Sequence, residues 1–319
     1  MNILMTGATG FVGSKAFEII TKKRNANITV LSRNISTQFS QQVVVPNFNG
    51  ATDFSTALNG IDVVIHMAAR VHVMDDDSSN PLNDYREVNT EGTLNLARQA
   101  VNNGVKRFIF ISSIKVNGQS TALNKPFKST DPRCPEDFYG QSKSEAEEQL
   151  LELSAESGID VVIIRPTLVY GPGVKANFAS LLKLVSKGIP LPFGYVRNNK
   201  RSLVSVYNLV DLIDTCLDHP RAKNQVFLVS DGHDVSTFEM VKQMSVACGR
   251  KSFQLPVPAW CYKFVGKLLK KEDVVDRLIG SLQVDICHTK ETLNWTPPQS
   301  LQDGFKETAD YIINKRGNK

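Results

Sequence analysis

The sequence predicts an α/β protein with a doubly wound parallel sheet, followed by a smaller C-terminal α/β lobe. Three observations predict this class. Short, β-branched apolar runs alternate with amphipathic stretches through the first half of the chain. A cluster of glycines directly follows the first of these runs. Beyond residue 165, prolines and glycines become frequent and the regular alternation ends.

Six runs are nearly continuous in apolar character, as expected for strands that are covered on both faces. They are Asn2–Thr6, Ile28–Ser32, Val43–Val45, Asp62–Met67, Arg107–Ser112 and Val161–Arg165. Helical patterns between them cover Gly13–Lys22, Tyr85–Asn103 and Phe138–Ser157. This alternation of strands and helices predicts parallel strands joined by right-handed crossovers.

The second half predicts shorter elements. They are the strands Leu203–Val206 and Gln225–Val229, and the helices Phe178–Ser186, Thr237–Ala247 and Ala259–Lys270. We therefore expect a first domain at residues 1–166 and a mainly substrate-binding lobe at 167–319. In an alternative division, residues from about 201 to 230 return to the first sheet.

Composition excludes several classes of protein. Of the 319 residues, 41% are apolar and 22% are charged, which argues against wholesale disorder. No apolar run approaches the roughly 18 residues that an integral membrane span needs. The net charge of +5 is modest and no basic tract occurs, so nucleic-acid binding is not expected.

The five cysteines are scattered, without a CxxC pair, and the histidines show no metal-ligand spacing. We expect no metal site, and a reducing, cytoplasmic location. The first predicted strand begins at Asn2 and leaves no room for a signal peptide.

The glycine cluster has the spacing GxxGxxG, in Thr6-Gly7-Ala8-Thr9-Gly10-Phe11-Val12-Gly13. Gly7 permits a tight turn, Gly10 lets the backbone approach a diphosphate, and Gly13 lets the helix pack closely on the strand. The N-terminus of the following helix would face the phosphates with its positive end. A glycine loop between a strand and a helix predicts a Rossmann-type NAD(P)-binding domain.

The end of the second strand reads Leu31-Ser32-Arg33-Asn34 and contains no acid. A carboxylate at this place would accept a hydrogen bond from the ribose 2′-hydroxyl of NAD and repel a 2′-phosphate. Arg33 can instead pair with a phosphate. The sequence therefore favours NADP(H), with NAD(H) as the alternative.

Tyr139 and Lys143 lie four residues apart, on one face of a predicted helix. An ammonium beside the phenol, together with a nicotinamide cation, would favour the phenolate. Tyr139 could then exchange a proton with a substrate hydroxyl while hydride moves to or from the cofactor. The fifth strand ends in Ser112-Ser113, where a hydroxyl can bind the reacting oxygen.

These motifs resemble the extended short-chain dehydrogenase/reductases of the nucleotide-sugar epimerase/dehydratase group, over nearly the whole chain. The segments that carry the resemblance are Gly7–Gly13, Val63–Ala69, Val88–Thr93, Ser112–Ser113, Tyr139–Lys143, Arg165–Pro166 with Val169–Pro172, and Leu293–Trp295.

The resemblance implies a role for each of several residues. Ser113, Tyr139 and Lys143 would be catalytic. The cofactor site would comprise Gly7, Thr9, Gly10, Phe11, Val12, Gly13, Arg33, Asn47, Ala68, Ala69, Arg70, Asn89, Ser112, Tyr139, Lys143 and Pro166. Ser113, Asn177, Arg201 and Arg277 would hold a UDP-sugar. His66, within a strand, is interpreted as a packed core histidine.

The resemblance also bears on the reaction. Dehydratases of this group carry an Asp-Glu pair after the catalytic hydroxyl, where this chain has Ile114-Lys115, so 4,6-dehydration is not expected. A 4-epimerase and a 4-ketoreductase remain, both acting at sugar C4. The missing acid after the second strand favours the reductase, because its cofactor must exchange with a cellular pool.

Further segments resemble a bacterial subgroup of surface-polysaccharide (O-antigen) biosynthesis. They are Ala69–Met74, Ser112–Gly118 and Asn199–Ser205. In that subgroup a UDP-4-keto-6-deoxy-N-acetylhexosamine would be reduced to UDP-N-acetylquinovosamine. The alternatives are a 4-epimerase of UDP-glucose or UDP-N-acetylglucosamine, and a lipid-linked sugar 4-epimerase suggested by the basic, amphipathic stretch Ala259–Lys271. A non-catalytic NADP-binding protein is a distant third alternative. Helices Tyr85–Asn103 and Phe138–Ser157 resemble those that pair in family homodimers.

Overall fold

The computed structural model describes residues 1–71, 80–268 and 272–317. Residues 72–74 of the Ala69–Met74 motif and the end of the basic stretch Ala259–Lys271 lie outside the described residues. Within the described parts, seven strands form one parallel sheet flanked by helices, and three strands form a second, smaller sheet. The predicted fold class is confirmed.

Eight strands differ only slightly from the predicted ones, and two, β7 and β10, were not predicted. They are β1 (Asn2–Thr6), β2 (Asn27–Ser32), β3 (Gln42–Val44), β4 (Val63–His66), β5 (Arg107–Ile111), β6 (Asp160–Pro166), β7 (Leu168–Tyr170), β8 (Arg201–Ser205), β9 (Gln225–Val229) and β10 (Asp234–Val235). The order in the large sheet is β3-β2-β1-β4-β5-β6-β9. β1 lies between β2 and β4, and there Met5 is in register with Val30 and Ile65. The chain thus reverses its direction of winding next to β1, where doubly wound sheets bind ligands.

The helices cover both faces of the large sheet and build most of the second lobe. They are α1 (Phe11–Arg24), α2 (Ser55–Leu58), α3 (Pro81–Arg86), α4 (Thr93–Asn102), α5 (Phe138–Ser157), α6 (Ala176–Ser186), α7 (Val206–Cys216), α8 (Thr237–Ala247), α9 (Ala259–Leu268), α10 (Glu272–Ile279), α11 (Cys287–Leu293) and α12 (Leu301–Gly317). A π-helical turn at Glu87–Gly92 joins α3 to α4, and 3₁₀ turns lie at Ile114–Val116 and Pro220–Ala222.

Alternating side chains of the central strands supply two separate apolar cores. Ile3 and Met5 of β1 point to the face that α1 and α7 cover. Leu4, between them, points to the opposite face, which α4 and α5 cover. This period of two is what a parallel sheet buried on both faces requires.

The small sheet has the order β10-β8-β7 and belongs to a third core, with α6, α8 and α12. Tyr170 at the end of β7 is fully buried between Phe178 and Phe305, with ring centroids 5.4 and 4.9 Å away. Its hydroxyl donates to Asp231 at 2.7 Å, so the buried phenol is satisfied.

Several stretches depart from the sequence prediction, which contains no strand at β7 or β10 and no helix at α2, α10, α11 or α12. The single helix expected over Tyr85–Asn103 is interrupted by the π-helical turn. The stretch between Leu203–Val206 and Gln225–Val229, for which no helix was predicted, contains α7. No helix in the described ranges is both long and apolar enough to cross a membrane.

Candidate active site

The glycine loop lies where β1 passes into α1, and its shape depends on the absence of side chains. Gly7 has a φ of +72°, and a Cβ there would lie 2.7 Å from the backbone of Met67 and Ala68. A Cβ on Gly13 would lie 2.1 Å from the carbonyl oxygen of Gly7. The loop is therefore a close-packed cradle that no other residue type fits at these two positions.

The N-terminus of α1 has free backbone amide groups that suit it to binding an anion. Its N-cap is Gly10, no side chain caps it, and its first turn contains no acid. The first amide groups of a helix need partners from outside the helix, and the helix dipole favours negative charge there. Within the described structure, the cradle and this helix end therefore fit the diphosphate of a dinucleotide.

A buried histidine fixes the loop after β4. His66 is fully buried, and its ring nitrogens lie 2.7 Å from Thr6 Oγ1 and 2.8 Å from Thr93 Oγ1. Burial, together with the charge of Lys143, lowers the pKa of His66 well below its ordinary value. The interpretation of His66 as a packed core histidine is confirmed. Thr6 Oγ1 also accepts from the backbone amides of Met67 and Ala68, which fixes the start of the loop beside Gly7.

Asn89 sits in the π-helical turn and connects three elements. Its Oδ1 accepts from the Arg70 backbone amide at 2.8 Å, and its Nδ2 donates to the Arg70 carbonyl and to Ser142 Oγ, both at 3.0 Å. Ser142 Oγ in turn donates to the carbonyl of Tyr139 at 2.9 Å. The structure thus brings Asn89, Arg70 and the first turn of α5 together, at a π-helical turn of the kind that often marks functional sites.

Lys143 is buried against β5. Only 1% of its surface is exposed, its ammonium donates to the carbonyl of Ile111 at 3.0 Å, and it lies 4.3 Å from the ring centroid of Phe110. Burial lowers the pKa of Lys143 to about 7, against the opposing charge of Glu147. Near neutral pH this lysine can therefore both hold and release a proton.

Ser113 and Tyr139 lie on two segments that are fastened to each other. Ser113 follows β5 and accepts from the Lys115 backbone amide at 3.2 Å. Asp137 is the N-cap of α5, accepting from the Gly140 amide at 2.7 Å, and its other oxygen forms an ion pair with the Lys115 ammonium. The ammonium lies 5.7 Å from the centroid of the Tyr139 ring. The ion pair therefore fastens the loop that follows Ser113 to the first turn of α5.

The surroundings of Tyr139 determine its protonation in the protein by itself. Burial, followed by the charge of Asp137 and by Tyr85, raises the pKa of the Tyr139 phenol above its ordinary value. In the protein by itself the phenol is thus neutral at physiological pH, because loss of hydration and the nearby Asp137 carboxylate both disfavour the phenolate. The expected phenolate requires a bound nicotinamide cation as well as the Lys143 ammonium, and it stays a prediction for the complex with the cofactor.

Ser112 directly follows the last residue of β5. Its hydroxyl is buried and finds no hydrogen-bond partner within the described part of the chain. Buried hydroxyls are normally satisfied, so this oxygen fits a ligand atom. The Ser112 hydroxyl and the glycine cradle are therefore compatible with a bound dinucleotide.

Four further predicted residues lie at or beyond the ends of strands and helices. Arg33 and Asn47 are both exposed, beyond β2 and β3 respectively, and Pro166 ends β6. Asn177 is exposed in the first turn of α6. The three polar residues present no contact here that distinguishes a binding role from an ordinary surface position.

The predicted substrate arginines do come together. Arg201 Nη1 donates to the backbone carbonyl of Arg277 at 2.8 Å. Burial lowers the pKa of Arg201, and the positive charge of Arg277 lowers it further. Two cations held this close, in a partly desolvated place, form a favourable site for an anionic ligand.

Sequence reasoning missed Asp137, Lys115 and Ser142 as supports of the site. An Asp directly before a helical pattern is a recognisable N-cap, so Asp137 had a signal. The partners of Lys115 and Ser142 lie far away in the sequence, and no local pattern shows them.

A scan against family models matches residues 3–230 to the NAD dependent epimerase/dehydratase family. The chain belongs to this family. It is 61% identical, over 98% of its own length and 95% of the relative's, to a UDP-glucose 4-epimerase of Vibrio cholerae. It is 29% identical, over 97% and 95%, to an N-acetyl-α-D-glucosaminyl-diphospho-ditrans,octacis-undecaprenol 4-epimerase of Escherichia coli O157:H7.

Solved structures agree on the fold of this epimerase/dehydratase family member. A UDP-glucose 4-epimerase of Thermotoga maritima with UDP-glucose superposes with a TM-score of 0.78 at 21% identity, covering 99% of this chain and 100% of that one. A UDP-glucuronic acid 4-epimerase of Bacillus cereus with NAD gives 0.78 at 21%, covering 98% and 97%. The protein is thus an enzyme of an NAD-dependent family. These comparisons support neither the expected preference for NADP(H) nor the 4-ketoreductase.

Proposed function

We propose that this enzyme is a UDP-sugar 4-epimerase that retains NAD. The observation that carries the proposal is the 61% identity, along nearly the whole chain, to a UDP-glucose 4-epimerase. The retained Ser113, Tyr139 and Lys143 support it, because their elements meet at the end of β5. NAD, when bound, supplies a hydride acceptor and donor for sugar C4.

The proton of the C4 hydroxyl is handled by Tyr139. The Tyr139 phenolate accepts this proton as the sugar is oxidised, and the phenol so formed returns it to the oxygen when the ketone is reduced, so no net proton is released. Lys143 is buried one helical turn away and has a pKa of about 7. Its ammonium form favours the Tyr139 phenolate during the oxidation half-reaction. The Ser113 hydroxyl forms a hydrogen bond with the same sugar oxygen and positions it for proton exchange with Tyr139.

We assign binding to two places in the structure. The cradle of Gly7, Gly10 and Gly13 holds the diphosphate of NAD at the N-terminus of α1. Arg201 and Arg277 neutralise the diphosphate of the UDP-sugar, which explains why two like charges are kept side by side. Asn177 is proposed to contact the nucleotide from α6.

A direct test compares two incubations. With UDP-glucose, we expect UDP-galactose to form without any change in nicotinamide absorbance, since the hydride returns to the sugar. With UDP-4-keto-6-deoxy-N-acetylglucosamine and NADPH, we expect no stoichiometric oxidation of the cofactor. If NADPH were consumed in proportion to product, the enzyme would be the 4-ketoreductase of the sequence analysis.

A lipid-linked sugar is the second candidate substrate. The similarity to a relative named for an undecaprenyl-diphosphate sugar favours it, at 29% identity over 97% of this chain. The same assay decides between the two substrates, with the polyprenyl-diphosphate sugar in detergent replacing UDP-glucose. Conversion of the lipid-linked sugar alone would displace UDP-sugars as the substrate.

We further propose a cytoplasmic homodimer that associates through α4 and α5. A cavity of about 580 Å³ opens on this face and is lined by Leu94, Arg98, Glu145 and Gln149, among others. Light scattering at micromolar concentration should give twice the mass of the chain, and a monomeric mass would contradict the proposal.

A further inference from the structure

Helix α9 exposes a stripe of large apolar side chains. Trp260, Phe264 and Leu268 are 69%, 65% and 72% exposed. They are spaced by four residues, so they lie on one face of the helix. Isolated exposed apolar residues are ordinary on a protein surface, whereas an aligned row of three, including a tryptophan, indicates an interaction surface.

The stripe is not the face by which α9 packs on its own lobe. Tyr262 points inward and stacks on Phe193, with ring centroids 6.2 Å apart and planes inclined by 4°. Gly266, one turn later, is buried. The helix therefore already has an inner apolar face, and the stripe is a second one that nothing in the described structure covers.

The charged residues of α9 itself are all positive. Lys263 and Lys267 are exposed and lie between the stripe residues along the helix, at spacings of three and four. In the sequence, residues 249–271 contain six basic residues and no acidic one: Arg250, Lys251, Lys263, Lys267, Lys270 and Lys271. Glu272 and Asp273 follow directly in the sequence, so the positive charge belongs to residues 249–271, in a chain that carries only +5 as a whole.

An apolar cavity adjoins the helix. It has a volume of about 400 Å³ and opens between α9 and α10, where Val265, Val274 and Leu278 are among its lining residues. Val265 is itself 48% exposed. The apolar surface therefore continues from the outer side of α9 into a recess that acyl chains can enter.

We propose that α9 docks this enzyme on the surface of an anionic lipid membrane. In this arrangement the helix lies in the plane of the surface. Trp260, Phe264 and Leu268 enter the boundary between headgroups and acyl chains. Lys263 and Lys267 extend to lipid phosphates while their aliphatic stems stay in apolar surroundings.

Charge decides against a second copy of the chain as the occupant. A two-fold contact through α9 would place the same patch of each copy against the other. Lysines would then face lysines with no acid of the segment between them, which is unfavourable at an apolar interface. A negatively charged lipid surface complements both the stripe and its cations.

The test is co-sedimentation of the full-length enzyme with vesicles. We expect binding to vesicles of phosphatidylglycerol mixed with phosphatidylcholine, weaker binding to pure phosphatidylcholine, and a decrease as salt is raised. Lys263→Gln with Lys267→Gln should weaken binding about fivefold per lysine, or roughly 25-fold together. Trp260→Ser with Phe264→Ser should abolish it.

Matched controls separate docking from general charge and hydrophobicity. Lys22→Gln with Lys106→Gln removes the same charge from other surfaces, and Ile35→Ser removes an apolar side chain that is 80% exposed. These variants should bind vesicles as the unaltered enzyme does, and circular dichroism confirms that every variant folds.

The proposal fails if the unaltered enzyme does not bind the anionic vesicles, or if the α9 variants bind as well as the controls. It also fails if light scattering shows that Trp260→Ser with Phe264→Ser lowers the oligomeric mass. The stripe would then be an interface between two copies.

Discussion

Replacing Lys143 by methionine should stabilise the nucleotide-free protein at neutral pH while abolishing turnover. Burial holds the pKa of Lys143 at about 7, against 10.5 for an unperturbed lysine. Between these two values the unfolded chain binds more protons than the folded one, so folding becomes more favourable as pH rises. At pH 7 this mismatch costs the folded state about 4 kcal/mol, from about 1.4 kcal/mol per unit.

The substitution also has a cost. Without the ammonium, the buried carbonyl of Ile111 loses its 3.0 Å hydrogen bond, which destabilises the protein by roughly 1–2 kcal/mol. The net gain of Lys143→Met at pH 7 is therefore about 2–3 kcal/mol. It should shrink as pH rises and change sign near about pH 9, because the free energy needed to deprotonate the lysine on folding falls by about 1.4 kcal/mol per pH unit.

Urea denaturation of both proteins at a series of pH values measures this difference directly. The nucleotide must first be removed, and the ratio of absorbance at about 260 and 280 nm checks that removal is complete. Other titrating groups are common to both proteins and cancel in the difference. A variant that is less stable at pH 7, or a difference that does not vary with pH, would refute the assignment of a desolvated ammonium to Lys143.

Four further substitutions test other parts of the site. Tyr139→Phe should lower turnover by about 10²–10⁴-fold and leave nucleotide binding almost unchanged, which calorimetry and a rate assay together can check. Gly13→Ala should prevent NAD binding, measured by fluorescence titration, because its Cβ would overlap the Gly7 carbonyl. Arg33→Ala should weaken NADP(H) more than NAD(H), and equal effects would show that this exposed arginine does not contact the ribose. Glu147→Gln should cost about 3–5 kcal/mol in urea denaturation, since it leaves the buried Arg165 guanidinium without its carboxylate.

The sequence predicts those elements of the fold whose formation depends on neighbouring residues. The strands of the large sheet, the glycine loop and α5 follow from apolar runs, turn residues and helical periodicity. α7 was missed although apolar residues recur along it at helical spacing. It also buries Asn208, which donates to Asp231 and to the carbonyl of Gln299, and distant partners of this kind leave no local signal.

The site shows the same division. Tyr139 and Lys143 are recognisable because one helical turn sets their spacing. The π-helical turn was not predictable, because its Asn89 makes its hydrogen bonds to Arg70 and Ser142, at separations of 19 and 53 residues. Likewise, the neighbourhood of Arg201 and Arg277 spans 76 residues and exists only in the folded chain.

The path of the chain through β8, α7 and β9 has a consequence for how this architecture can be divided. β9 is hydrogen-bonded to β6 and forms one border of the large sheet, yet it comes after β8, which belongs to the small sheet. A fragment ending at Pro166 would leave β6 as an unpaired edge strand. The face of the sheet to which Ile3 and Met5 point would also lack the Leu209 and Ile213 side chains of α7. The N-terminal half of the chain is therefore not separable from the C-terminal half, because this one interleaved stretch contributes to both sheets.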